Sequence, residues 1–134
     1  MKRAFADSFF YFALVSRHDA AHTRVVEFAT SFVGEIVTTG WVLTEFADGM
    51  ARPAARREKF ADIYRGLRSD PATRIISCSD ELIEEGIKLF MTRADKEWSL
   101  TDCISFVVRQ REGITDALTG DHHFEQAGFR ALLM

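Results

Sequence analysis

The sequence predicts an α/β fold, a three-layer sandwich whose central, mostly parallel sheet has about five strands. Three observations carry this expectation. Short apolar or β-branched runs alternate with longer segments of helical periodicity along the chain. Strands separated by helices imply right-handed βαβ crossovers, hence a parallel sheet covered on both faces. Finally, 134 residues, 47% of them hydrophobic, suit one domain with a substantial core, here rich in phenylalanine with 12 copies.

The elements follow in order. Residues 3–6 form a strand ending at Asp7, and 8–15 form two helical turns. This opening, MKRAFADSFFYFALVSR, has the charged start and apolar stretch of a signal peptide. Asp7 interrupts it and no small-residue cleavage site follows, so it reads as the first strand and helix. Residues 19–33 are helical, with His22, Val25, Val26, Ala29 and Phe32 in register, and Gly34 stops them. Glu35–Thr38 is a β-branched strand, and Thr38 or Thr39 caps the helix carrying Trp41, Val42, Phe46 and Ala47. Gly49 and Pro53 end it. Residues 56–68 are a helix, Asp70-Pro71 a turn and 74–77 a strand. Ser79 caps a helix over 80–93 with Leu82, Ile83, Ile87 and Phe90 inward, and Ser99 opens another over 100–112. A strand at 114–118, a short helix at 122–127 and a last strand at 129–133 complete the chain.

Composition excludes more than it assigns. The net charge of −3 does not announce a nucleic-acid binder, although arginine outnumbers lysine 13 to 4. Residues 52–74 are the one basic stretch, with seven basic residues against three acidic; a solvated helix face or a polyanion-steering surface both fit. Cys78 and Cys103 lie in apolar contexts and read as buried free thiols of a cytoplasmic protein. No apolar run reaches the roughly 20 residues needed to span a bilayer. There is no Gly-rich phosphate loop and no G-x-S-x-G elbow. His18 and His22 are spaced as zinc ligands on a helix can be, but no further ligand accompanies them; His18 reads as a surface residue and His22 as one near a site rim. His122 and His123 follow Asp121; a substrate contact by one of them and a solvent-exposed helix start both fit, the second being the simpler reading.

Four acids stand out: Asp7, Glu45, Asp102 and Asp121, each embedded in apolar sequence. An unpaired buried charge is costly, so each must be solvated, capped or bound to a cation. Asp7 and Asp121 can cap the helices that follow, and Ser99-Leu-Thr-Asp102 fits a capping box. Glu45 lies mid-helix, where no cap explains it. On a parallel sheet all four can face the carboxyl edge, where ligands bind. Clustered carboxylates persist only with raised pKa values or bound cations. Hard oxygen donors point to Mg²⁺ or Mn²⁺, and such a site suits phosphodiester hydrolysis by one or two metals.

The ordered set resembles the PIN-domain nucleases, specifically the small VapC-like toxins, over nearly the whole chain. A first strand ends in Asp7-Ser8, Thr44-Glu45 lies on the helix after the second strand, Ser99-Leu100-Thr101-Asp102 opens a late helix, and Leu118-Thr119-Gly120-Asp121 with Phe124 closes a strand. The acids are 38, 57 and 19 residues apart. The resemblance implies a single PIN-like nuclease domain over residues 1–134, acting as a Mg²⁺- or Mn²⁺-dependent endoribonuclease. It also implies metal ligation by the four acids, support from Ser8 and Thr119, an RNA substrate, an antitoxin partner and a homodimer. Two positions depart from the family pattern: Phe9 stands where a small polar residue is common, and Gly120 where Arg is common. Both bear on substrate contacts rather than metal binding. The alternatives are a PIN-fold nuclease in RNA processing, a phospho-receiver-like signalling domain and a catalytically dead PIN scaffold. A receiver needs an acidic pair near its first strand and a late Lys. Only Asp7 and no Lys after Lys96 are present. The full set of four acids argues against the dead scaffold.

Overall fold

A computed structural model describes residues 2–134. Five strands, β1 (Arg3–Ala6), β2 (Glu35–Thr39), β3 (Thr73–Ile76), β4 (Asp116–Leu118) and β5 (Arg130–Ala131), form one sheet in the order β3-β2-β1-β4-β5. Every pairing is parallel. The central strand pairs Ala4 with Ile36 on one side and with Asp116 on the other. Ala4, Phe5 and Ala6 are all fully buried. Successive strand residues point to opposite faces, so both faces are covered and the molecule has three layers.

The covering helices are α1 (Ser8–Val15), α2 (His22–Ser31), α3 (Gly40–Gly49), α4 (Ala54–Ser69), α5 (Asp80–Thr92), α6 (Leu100–Glu112) and α7 (His122–Gln126). Local chemistry sets their starts. Thr39 Oγ1 accepts from the Val42 N–H and Ser79 Oγ from the Leu82 N–H. α2 begins at His22 rather than 19, because Asp19 Oδ1 accepts the Ala21 N–H and closes a turn first. Gly113, at φ 66°, ends α6 in the left-handed conformation that favours glycine. The chain uses residues 114 and 115 to leave that turn, and β4 starts only at Asp116.

Two burial expectations fail. Ile87 and Phe90 are 37% and 44% exposed instead of inward. The reason is Gly86, which is buried with its bare backbone against Ile104 of α6. That close approach centres the α5 contact face on Leu82, Gly86 and Leu89, and turns Ile87 and Phe90 outward. Gly86→Ala should therefore push a Cβ into buried Ile104 and cost about 1–3 kcal/mol, read as a lowered urea midpoint at unchanged slope. Cys78, expected to be buried, is exposed just past β3, whereas Cys103 is buried; both are free thiols.

An aromatic cluster holds the end of the chain to the centre. Phe124 of α7 packs on Phe5 of β1 and Phe106 of α6, with ring centroids 6.3 and 5.1 Å away. Trp98 lies edge-on to Phe106 at 4.9 Å and donates its indole N–H to Gln126 Oε1 at 3.0 Å. The loop before α6 is thereby tied to α7. No helix among the described residues is long and apolar enough to cross a membrane.

Candidate active site

From β1 the chain passes to β2 and β3 on one side, then returns to place β4 and β5 on the other. The crevice between the carboxyl ends of β1 and β4 is thus the topological switch point, where open α/β sheets bind ligands. Asp7 follows β1 directly, and Thr119–Asp121 follow β4. α3 leaves the same edge after β2. α6 runs back toward β4, so its first turn sits at that edge too. One cleft is lined there by Asp7, Glu45, Asp102 and Asp121.

Each acid is held by a different device. Asp7 occupies the N-cap position of α1 but makes no side-chain cap bond. Instead its Oδ2 accepts from Thr119 Oγ1 at 3.0 Å. Burial pushes the Asp7 carboxyl up to about 7, reinforced by the nearby charge of Asp102 and opposed by the Thr119 hydrogen bond. Half-buried Glu45 accepts a short hydrogen bond from Ser8 Oγ. Asp102 is the acid of a complete capping box: Ser99 Oγ accepts its N–H at 3.0 Å, and its Oδ2 accepts the Ser99 N–H at 3.3 Å. Burial also raises its pKa; the Ser99 N–H opposes this, and the charges of Asp121 and Glu45 add to it. Asp121 caps α7 through the His123 N–H at 2.9 Å. For Asp102 and Asp121, capping and lining the cleft are compatible: the cap bond fixes the carboxylate at the sheet edge.

Thr119 is fully buried and does two jobs, since its Oγ1 also accepts the Asp121 N–H at 3.0 Å. Thr119→Val should strip both bonds and cost about 1–3 kcal/mol, with Thr119→Ser restoring most of it in a thermal denaturation series.

Glu97, Phe12 and Ser99 as lining residues escaped sequence reasoning, and His123 lines the cleft too. The His123 side chain is only 20% exposed, not solvent-facing as its position suggested, and its Nδ1 lies 3.5 Å from both Asp102 Oδ2 and Asp121 Oδ1. Its adjacency to Asp121 was the available signal. Among the described residues, the one trio of ligand-type side chains with atoms within 4.8 Å of one another is Asp121, His122 and His123; no three of the four acids converge that closely. His122 is 66% exposed, matching its expected position. His22 sits away from the cleft lining, its Nδ1 2.7 Å from the Ala13 carbonyl oxygen where α1 meets α2. His18 precedes α2 and cannot pair with His22 on a helix face.

The two departures noted in the sequence turn out to be neighbours. A Cβ at Gly120 would stand 2.6 Å from Phe9 Cζ. The Phe9 ring, which lines the cleft, occupies the space where a longer residue at 120 would begin. Gly120→Arg alone should be destabilising by about 1–3 kcal/mol, and Phe9→Asn in the same chain should recover part of that, giving a non-zero coupling in a double-mutant cycle.

Strand order, three layers and an acid-lined crevice at the switch point define a PIN-like α/β protein. No protein-family model matches the chain. It is 27% identical over 125 residues to the 23S rRNA-specific endonuclease VapC20 of Mycobacterium tuberculosis, covering 93% of this chain and 94% of that one. The crystal structure of VapC20, described as a Sarcin-Ricin loop cleaving toxin, superposes with a TM-score of 0.85 at 25% identity over 96% of this chain and 98% of that one. The FitAcB structure from Neisseria gonorrhoeae shares the fold, with a TM-score of 0.65 at 15% identity over 96% of this chain and 94% of that one. In sequence and in fold the chain is thus similar to a VapC-type endonuclease of the PIN-like class.

Proposed function

We propose that the protein is a Mg²⁺- or Mn²⁺-dependent endoribonuclease acting as the toxin of a type II toxin–antitoxin pair, its single domain spanning residues 1–134. The observation that carries this reading is the gathering of four acids from distant segments without compensating cations. Among the described residues, no Arg or Lys pairs with Asp7, Glu45, Asp102 or Asp121; only His122 and His123 approach them. A carboxylate whose pKa is raised to about 7, first by burial and then by the charge of Asp102, fits a site completed by a hard cation, and the oxygen donor set suits Mg²⁺ or Mn²⁺.

Asp7, Glu45, Asp102 and Asp121 would hold the metal. When bound, it would supply a Lewis acid that polarises a phosphoryl oxygen and acidifies a water. Ser8 and Thr119 orient two of the carboxylates by donating to Glu45 and Asp7. The Ser99 N–H holds Asp102 in one rotamer across the cleft. The crevice excludes part of the bulk water, which strengthens these interactions.

VapC20 is named for action on 23S rRNA, so ribosomal RNA is the first substrate to try. An antitoxin covering the acids and a homodimer are part of the same proposal, and a cytoplasmic setting follows from it. Incubation of the purified protein with ribosomal RNA in Mg²⁺, Mn²⁺ or EDTA is the test. Cleavage confined to the two metals is expected, and equal cleavage in EDTA would refute the reading.

A further inference from the structure

A second cleft lies at the far end of α1 from the acids. It is lined by Val15, Ser16, Arg17, His18, Met50, Arg56 and Lys59, with no acidic side chain among them. This concentration of positive charge stands out in a chain of net charge −3. Elsewhere six arginines, Arg3, Arg65, Arg74, Arg93, Arg111 and Arg130, pair with carboxylates. Among the described residues, Arg17, Arg56 and Lys59 pair with none. The acid closest in sequence to Arg17, Asp19, is engaged by the Ala21 N–H. Arg56 is held in place by a bond from its Nη2 to the Gly49 carbonyl at 3.2 Å, which leaves the rest of its guanidinium free. Arg56 and Lys59 lie in the first two turns of α4, the positive end of the helix dipole.

The two clefts share walls. Ser8, Phe9 and Phe12 of α1 and Glu45 of α3 line the acidic one; Val15 of α1 and Met50, just after α3, line the cationic one. At a rise of 1.5 Å per residue, Ser8 to Val15 spans about 10 Å, near three nucleotides of a stacked strand at ~3.4 Å each. Between them stand Phe9 and Phe12, both partly exposed. Cations that track a backbone, with aromatic rings for bases alongside, are the two components of single-strand binding surfaces.

We propose that the cleft formed by Arg17, His18, Arg56 and Lys59 is a phosphate subsite for the RNA substrate. It holds the strand's backbone about three nucleotides from the scissile bond while intervening bases stack on Phe9 and Phe12. This deepens the ribonuclease reading and rests on it for the identity of the strand.

The test is fluorescence anisotropy of a labelled ten-nucleotide single-stranded RNA in EDTA, over a range of salt concentrations. The double variant Arg17→Gln/Lys59→Gln should bind about tenfold or more weakly at ~0.1 M salt, with the slope of log affinity against log salt reduced by about 1.4, at roughly 0.7 per lost phosphate contact. A control of equal charge change on other surfaces, Arg65→Gln/Lys88→Gln, should stay within about twofold of wild type. Equal losses in both variants, or none in the first, would overturn the subsite. So would a poly-glutamate peptide that displaces the RNA as well as unlabelled RNA of equal charge does, since that would indicate an acidic protein segment. The nuclease reading fails separately: RNA held by the cleft but left uncut in Mg²⁺ and Mn²⁺ would sink the activity and keep the subsite.

Discussion

Asp7→Asn is expected to reduce metal-supported RNA cleavage by about a hundredfold or more, the scale for removing one preorganised charged group from a site of this kind. The same substitution should leave the metal-free protein as stable as wild type or more so. Asp7 is 5% exposed, and its ionised form is disfavoured by burial and by Asp102. The neutral amide has nearly the same shape, can still accept from Thr119 Oγ1 and carries no charge to desolvate. Lost activity with gained stability separates a functional carboxylate from a structural one, since a merely structural Asp7 would lose both. A parallel series with Asp102→Asn should lose activity but gain less stability, because its carboxylate also serves the Ser99 capping box.

The metal-free protein should lose stability as pH rises from about 4 to about 7. Asp7 titrates near its ordinary 3.8 when unfolded but at about 7 when folded. Between those values the folded state binds more protons, so ΔG of unfolding falls with increasing pH. The penalty is absent below the unfolded value and complete above the folded one. Integrated over the window it is on the order of 4 kcal/mol. Asp102, also raised, acts in the same direction. The lowered pKa of Glu112, caused first by its bond from Arg3, contributes the opposite sign, but only as pH falls below the ordinary glutamate range. Melting temperatures in EDTA at half-unit steps would measure this. A downward slope in wild type and a nearly flat profile in Asp7→Asn are expected; equal slopes would show that another group is responsible. Saturating Mg²⁺ should flatten the wild-type profile, because a cation competes with the proton for the same oxygens.

What could be read from the residues alone divides along a physical line. Features set within one turn of helix were legible: the Thr39 and Ser79 caps, the Ser99–Asp102 box and the Asp121 cap all lie within three residues of their partners. The alternation of strands and helices led to the parallel sheet, and the sheet explained how Asp7 and Asp121 come to share a cleft. Features set by contact between distant elements were not legible. Gly86 against Ile104 decides which face of α5 is buried, and the helical periodicity of α5 contains nothing about α6. Phe9 and Gly120, 111 residues apart, were separate anomalies until their contact showed them to be one accommodation. The position of His123 favours a solvent-facing reading, because its burial depends on the approach of Asp102 from α6.

The position of β1 at the centre of the sheet also has a consequence for the order of events during synthesis. Asp7 emerges from the ribosome early, but its hydrogen-bond donor and its neighbour across the crevice come with residues 119 and 121. Until β4 docks beside β1, the nascent chain has an incomplete site with one wall missing. On the proposed reading, the acid site is therefore complete only once the segments that follow α6 have docked against β1. The strand order serves as a built-in delay.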